Sequence, residues 1–355
     1  MFAGQRVITT EAFATDFVYA ADVDGDGDID VFTASRDDGN IAWYENTDGR
    51  GTFGTLQVIT TLAVDAQSVY VADVDGDGDA DVLSTASNGI AWYENTDGLG
   101  TFGNERVITS AAGIVRSAHA VDGDGDGDVD VLSASFSYGN GLIAWYENTD
   151  GKGTFGSQRV INILASARSV YAADVDGDGD VDIISASSTY DRFGENGKIS
   201  WYENKDGKGT FRNAEGITTA ATGAGSVFAA DLDGDSDVDV LSASNGRIAW
   251  YEQRLAGDSN DDGVFNSSDL VRVIQSGEYE DGVPRNTTFD EGDWNGDQEF
   301  DSSDLVLAFQ FGHYEAANPA AAIINAAPID WLFANDKDRR KPHAIVEHPL
   351  FAILK

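Results

Sequence analysis

DVDGDGDID, Asp22–Asp30, is the stretch from which the fold can be read. It places carboxylates at alternate positions, Asp22, Asp24, Asp26, Asp28 and Asp30, with Gly25 and Gly27 between them. It returns as DVDGDGDAD (Asp73, Asp75, Asp77, Asp79, Asp81) and DGDGDGDVD (Asp122, Asp124, Asp126, Asp128, Asp130). Two more copies are DVDGDGDVD (Asp174, Asp176, Asp178, Asp180, Asp182) and DLDGDSDVD (Asp231, Asp233, Asp235, Asp237, Asp239). Carboxylates this close repel one another. A hard divalent cation removes the repulsion, and calcium accepts six to eight oxygens in a flexible shell. Positions 1, 3, 5 and 9 are therefore read as side-chain ligands, and position 7 as a backbone carbonyl ligand. Glycine at position 6 supports the sharp turn, because it reaches positive φ without strain. Ser236 replaces it in the fifth copy, so that loop is expected to hold metal less tightly.

Five copies at a period of about 50 residues signal a repeat architecture. Each unit carries four strand-like runs. In the fourth they are Ser169–Ala173, Val181–Ser187, Lys198–Asn204 and Glu215–Thr218, with a DGKGTF turn before the last. Runs of β-branched and aromatic residues broken by Asp-Gly turns read as antiparallel hairpins. Four short strands per repeat is the pattern of propeller blades. The chain opens on Arg6–Thr9, a fourth-strand sequence, and its repeats stop on a third strand, Ile248–Glu252. The expectation is a mainly β fold: a five-bladed propeller of four-stranded blades over residues 1–253, closed by the N-terminal strand completing the last blade. Trp43, Trp92, Trp145, Trp201 and Trp250 recur at one repeat position, as packing between blades requires.

The metal loops all join first to second strands and so share one rim. The loops of the opposite rim vary, as binding loops on a rigid scaffold do. Phe136, Tyr138, Tyr190, Arg192 and Phe193 are the candidate ligand-binding residues there, and Arg36, Asp37 and Asp38 lie on the first blade. An insertion without a ligand is the bland alternative.

The chain carries 62 acidic and 22 basic residues in 355, a net charge of −40, which opposes nucleic acid or an anionic membrane as partner. There is no cysteine, hence no disulfide. No run approaches the roughly 20 apolar residues of a membrane span. MFAGQRVITT lacks the charged and apolar segments of a signal peptide, so either one was trimmed or the chain is incomplete upstream.

After Glu252 the pattern changes. DSNDDGVFNSSD places oxygens at positions 1, 3, 5 and 12 (Asp258, Asn260, Asp262, Asp269), and DWNGDQEFDSSD repeats this at Asp293, Asn295, Asp297 and Asp304. This is EF-hand spacing with Asp at position 12. Gly263 fills the sharp-turn position of the first loop and Gln298 that of the second, which weakens the second. Helices are expected over Ser267–Glu278 and Ser302–Phe311, capped by Asn266 and Asp301. Residues 316–355 form a tail whose Lys337–Lys341 cluster reads as solvated.

Two resemblances rest on these residues. The units of the form VYAADVDGDGDVDIISAS…ISWYEN resemble the FG-GAP/VCBS repeat family, which includes integrin α-subunit heads and fungal lectins. The resemblance implies calcium in the blade loops, secretion, and ligand binding without catalysis. Five blades depart from the seven usual there. Residues 256–315 resemble a type I dockerin, a paired EF-hand module. That implies up to two further calcium ions and contact with a cohesin-like partner through Ser267, Ser268, Ser302 and Ser303.

The leading expectation is an extracellular or cell-surface calcium-binding protein, with the propeller binding a carbohydrate or cell-surface ligand and the dockerin-like module docking to a partner. A dockerin-bearing polysaccharide lyase or glycosidase is the rival, and a structural or filament subunit the third reading. Catalysis needs a convergent acid and base away from the metal loops. Of His119, His313, His343 and His348, only His119 lies in the propeller, where other blades have Tyr or Phe.

Overall fold

A computed structural model describes residues 4–10, 15–137, 140–164, 166–191, 194–234, 237–260, 262–295, 297–312 and 314. The chain divides into two compact units. Of the described residues, one holds those up to 230 and 240–251; the other holds 231–239 and 252–314.

The first unit is a succession of antiparallel sheets. The first comprises β1 (Thr15–Ala21), β2 (Asp30–Ser35), β3 (Asn40–Tyr44) and β4 (Gln57–Thr60), in that order. The second comprises β5 (Ser68–Ala72), β6 (Asp81–Ala86), β7 (Gly89–Tyr93) and β8 (Arg106–Thr109). In the third are β9 (Ile114–Val121), β10 (Asp130–Ser137), β11 (Asn140–Tyr146) and β12 (Arg159–Leu164). β13 (Ala167–Ala173), β14 (Asp182–Asp191), β15 (Gly194–Tyr202) and β16 (Glu215–Thr218) make the fourth. The fifth has three strands, β17 (Ser226–Ala230), β18 (Asp239–Ser244) and β19 (Arg247–Tyr251).

Alternation along the strands gives the sheets apolar faces, and the first four pack on one another in succession. Phe32, Ile41 and Trp43 of the first sheet share a core with Val69, Val82 and Tyr93 of the second. Leu83, Ile90 and Trp92 meet Val115, Val131 and Tyr146 of the third. Leu132, Ile143 and Trp145 meet Val170, Ile183 and Tyr202 of the fourth. Trp43, Trp92 and Trp145 lie between sheets, as expected for packing, whereas Trp250 is exposed on β19. The next sheet's turn covers them with a glycine: a Cβ on Gly100, Gly153 or Gly209 would collide with Trp43, Trp92 or Trp145. The first strands of successive sheets lie side by side. A ladder of tilted rings joins them, Tyr19–Tyr70–His119–Tyr171–Phe228, with centroids 4.9, 5.1, 4.6 and 4.7 Å apart.

One expectation fails. Arg6–Thr9 belongs to no strand, and among the described residues the fifth sheet has three strands. Arg6 instead donates to the Arg50 carbonyl in the turn of the first sheet, at 3.2 Å. The segment is thus engaged beside the first sheet.

The second unit contains α1 (Ser267–Ser276) and α2 (Ser302–Phe311). Asn266 and Asp301 cap them, each in a box with the Asp three residues on. α1 stops two residues before the expected Glu278 because Gly277 takes φ 85°, a left-handed stop. Phe265, Val273, Trp294, Phe300 and Ala308 form the core. Gly257 against Phe265 and Gly292 against Phe300 repeat one contact in the two halves. Among the described residues no helix is long and apolar enough to cross a membrane.

Candidate metal centres

Each repeat loop is the connection of a β-hairpin. Position 1 follows the last residue of the first strand, and position 9 is the first residue of the second strand. Ala21 pairs with Asp30, Ala72 with Asp81, Val121 with Asp130 and Ala173 with Asp182. The hairpin register therefore brings positions 1 and 9 together. Ligand oxygens of Asp22, Asp24 and Asp30 lie within 4.8 Å of one another. So do those of Asp73, Asp75 and Asp81, of Asp122, Asp124 and Asp130, and of Asp174, Asp176 and Asp182.

Position 5, expected to give a side-chain ligand, is outside these triads, and the carboxylate of position 7, whose backbone carbonyl was the expected ligand, lies outside them too. Asp26, Asp77, Asp126 and Asp178 each use a side-chain oxygen to accept the N–H of position 7, at 2.8 to 2.9 Å. Asp28, Asp79, Asp128 and Asp180 lie against Gly49, Gly98, Gly151 and Gly207, where no side chain would fit. The carboxylate of position 7 thus braces the loop on its own sheet's Asp-Gly turn. Glycines at positions 4 and 6 are both left-handed, at 71° and 91° for Gly25 and Gly27. Position 1 ties the turn: Asp22 accepts the N–H of Gly25 at 2.9 Å and of Gly27 at 3.0 Å.

Position 9 is buried in all five sheets; Asp81, Asp182 and Asp239 are fully covered. Asp81 accepts the N–H of Val74 at 2.9 Å and of Asn95 at 2.8 Å, and the same pair of bonds recurs at Asp30, Asp130 and Asp182. Burial raises these carboxyls, Asp30 to about 6 and Asp81, Asp130 and Asp182 to about 7. Position 3 is raised by the same cause. Removal from water without a counter-charge disfavours the anion.

The donor set suits calcium. All donors are oxygen, and Asp75 and Asp124 each leave a buried Oδ1 with no hydrogen-bond partner. A buried acceptor of that kind is costly unless something charged or donating meets it.

The sequence reading missed the asparagine that follows each third strand. Asn95 Nδ2 donates to Ala80 O of its own sheet at 3.2 Å and to Val23 O, in the loop of the preceding sheet, at 2.8 Å. Asn148 reaches Val74 O at 2.8 Å and Asn204 reaches Gly123 O at 3.0 Å. Each backbone N–H of these residues also serves its own position-9 Asp. One residue thereby holds two neighbouring loops. Its fixed place in every WYEN was the available signal. Asn46, in the first sheet, donates to Ile29 of its own loop, at 3.2 Å.

The fifth loop differs. Asp239 keeps its bonds to Leu232 and Gln253, at 3.1 and 2.9 Å, but Gln253 stands where the other sheets have Asn. Among the described residues no triad forms there, and Asp235 and Ser236 lie outside them. Asp231, Asp233 and Asp237 remain sequence candidates.

In the second unit, Asp258, Asp262 and Asp269 form a triad. Asp269 caps α1 with Oδ2, at 2.9 Å from Asn266 N, and keeps Oδ1 buried without a partner, as does Asn260 Oδ1. The second loop has no such triad among the described residues. Asp304 turns both oxygens to backbone N–H groups, of Trp294, Asn295 and Asp301, while Asp293 keeps a buried Oδ1 without a partner. Gln298 is forced to φ 71°. Asn295 and Asp297 stay at the loop surface, bonding to Ser303 and Glu299. Ser267, Ser268, Ser302 and Ser303 are all exposed on the first turns of the two helices.

At the opposite end of the sheets, Phe136 is half-buried near the end of β10, opposite Gly141 and Ile114. The backbone of Tyr190 lies in β14. Tyr138, Arg192 and Phe193 lie outside the described residues, as do His313, His343 and His348 and the tail from 315. His119 is buried between the rings of Tyr70 and Tyr171.

Among curated proteins, no sequence matches the chain. Among solved structures it is similar to an Agrocybe aegerita lectin specific for non-reducing terminal N-acetylglucosamine, at 18% identity over 69% of this chain and 68% of that one, TM-score 0.44. A V. cholerae biofilm matrix protein shares 20% identity over 60% of this chain and 30% of its own, TM-score 0.37. A rhamnogalacturonan lyase of Bacillus licheniformis shares 15% over 66% of this chain and 56% of its own, TM-score 0.36. The model of the FG-GAP-like repeat matches residues 22–84, 73–133, 122–185 and 188–242; the first three matches each span two successive acidic loops, and the last contains the fifth, Asp231–Asp239. These matches span more than half of the 355 residues, and the chain belongs to the FG-GAP-like repeat family.

Proposed function

We propose that the chain is a calcium-binding protein whose five sheets are the blades of a propeller, and that it binds a carbohydrate or cell-surface ligand on the rim opposite the acidic loops. The observation that carries the calcium reading is the fourfold triad of positions 1, 3 and 9. Each is built by a hairpin and includes a carboxyl already taken out of water. Calcium at these sites neutralises the clustered charge and closes the hairpin end, where there is little apolar surface to hold it. The paired helix-loop module of the second unit takes up to two more ions and serves as a dockerin-like attachment, with the exposed serines of α1 and α2 toward a cohesin-like partner. The triad in the first loop supports one site there.

The protein is read as extracellular and non-catalytic. Packing of His119 within the ring ladder supports the second point, since a general base must reach substrate. Native mass spectrometry of the whole chain against calcium is the test. At least four bound ions support the reading, and a metal-free compact protein in millimolar calcium refutes it. A glycan array tests the ligand, and a polysaccharide panel that yields products would favour the lyase or glycosidase reading.

A further inference from the structure

A second group of charged residues sits at the end of the sheets away from the acidic loops. The first strands of the first, third and fourth sheets lose register at one residue near that end. The extra residues are Asp16 in β1, Arg116 in β9 and Arg168 in β13. A bulge takes a residue out of the ladder and re-aims its side chain. Arg116 and Arg168 lie in step on adjacent strands. His119 and Tyr171, each three residues further on, have ring centroids 4.6 Å apart, and Val170 N lies 3.5 Å from Ser117 Oγ.

Both arginines are half-buried, and Nε of Arg116 is covered without a hydrogen-bond partner. Burial and then the charge of Arg168 hold the Arg116 guanidinium below its ordinary value, while Asp65 opposes this. Asp65 also pairs with Arg36, at 3.7 Å, and takes φ 54°, a strained conformation for a residue other than glycine. Arg36 and Arg116 thus share the field of Asp65, and Arg116 also feels the like charge of Arg168, in a chain of net charge −40. Neighbouring like charges, partly desolvated, favour an added anion beside them. The planar guanidinium fork matches a carboxylate in two-point contact.

We propose that Arg116 and Arg168 receive a carboxylate of an acidic sugar, so that the glycan taken by this rim carries uronic acid. This deepens the carbohydrate reading and rests on it. The site belongs to the strands and does not require the variable loops to be ordered around a ligand.

The experiment is calorimetric titration of the whole protein, at fixed calcium, with oligogalacturonate and with its methyl ester. The ester keeps the sugar backbone and removes the charge. Wild-type protein is expected to prefer the free acid, and Arg116→Gln and Arg168→Gln each to lose about tenfold or more of that affinity, as removal of one partner from a buried charge pair does. Arg116→Lys, which keeps the charge but loses the fork, is expected to fall between. Calcium uptake by the acidic loops is expected to stay unchanged in all three variants, and unchanged melting shows that they are folded. Acid binding that survives both Gln variants overturns the site, because the ligand is then held elsewhere, for example by loop calcium. Equal binding of acid and ester, or binding of neutral glycans alone, overturns the uronic-acid inference and leaves the carbohydrate reading standing. Binding of no glycan overturns both. Displacement of the acid by poly-glutamate at lower concentration assigns the site to an acidic peptide and overturns the inference.

Discussion

The first four sheets and the fifth carry nearly the same sequence and have different surroundings. Ile143 and Trp145 are buried by the fourth sheet, whereas Ile248 is 64% and Trp250 44% exposed on β19. Asn95, Asn148 and Asn204 each tie their loop to the preceding one, and Gln253 takes that place in the fifth. Four strands become three. The comparison teaches that a repeat residue owes its energetic role to the neighbour it meets. Trp is a core residue where another sheet's glycine turn lies over it, and a surface residue where none does.

The largest expected effect tests the four acidic hairpins as a set. Chelation at neutral pH removes about 1.4 kcal/mol per site that was held at tenfold saturation. Over four triads this lowers the melting temperature by on the order of 10 °C or more. Native mass spectra at limiting calcium are expected to show four ions before any at the fifth loop. A fifth loop that fills first would remove the distinction between the sheets.

Truncation separates the two tryptophan environments. Trp145→Ala is expected to cost about 3–5 kcal/mol in denaturant unfolding, as loss of a buried aromatic does. Trp250→Ala is expected to cost less than about 1 kcal/mol. Equal losses would mean that Trp250 is covered in solution, and the exposed face of β19 would then be an interface.

A smaller effect is expected from the bridging asparagines. Asn148→Gln withdraws two donated bonds from buried carbonyls, at about 1 kcal/mol each. It should weaken calcium uptake at two loops, those of the second and third sheets. Asn46→Gln, whose amide among the described residues donates to its own loop and not to a neighbouring one, should affect one. Titration followed ion by ion distinguishes them, and identical behaviour of the two variants would mean that the bridge carries nothing.

The subtlest prediction concerns pH. The position-9 carboxyls are raised in the folded, metal-free protein, to about 7 at Asp81, Asp130 and Asp182. The folded form therefore holds protons that the unfolded chain releases. That contribution is complete below the ordinary Asp value near 4 and is lost as pH rises through about 7. Chelated protein should accordingly melt higher at pH 5 than at pH 7.5. With calcium present the trend reverses, because the ion requires the deprotonated carboxylates. Chelated protein that grows more stable toward pH 7.5 would show that these carboxyls are not strained by burial.

The acidic loops, the hairpins on either side and both helix caps were legible because each depends on residues close in sequence. A glycine that must turn, an Asp that begins a strand, and a cap satisfied three residues on are local demands. The ladder of rings followed from the same repeat position in each unit, once the sheets were known to stand side by side. Asn95 was not legible as a bridge, because its acceptor, Val23, lies 72 residues earlier. The arginine pair escaped notice for a related reason. Nothing in IVRSAHAV or ARSVYAA announces a bulge, which arises from the fit of each strand to its partner.

The sequence by itself determined where calcium-type oxygens cluster, how many sheets the chain makes, and where its two helices start. These follow from hydrogen-bonding and torsional preferences within a few residues. Tertiary structure decided which carboxylates converge. Hairpin register joins positions 1, 3 and 9, while packing on the Asp-Gly turn draws position 7 away. It also left Arg6–Thr9 outside the sheets and the face of β19 open, because strand pairing and burial depend on what stands alongside.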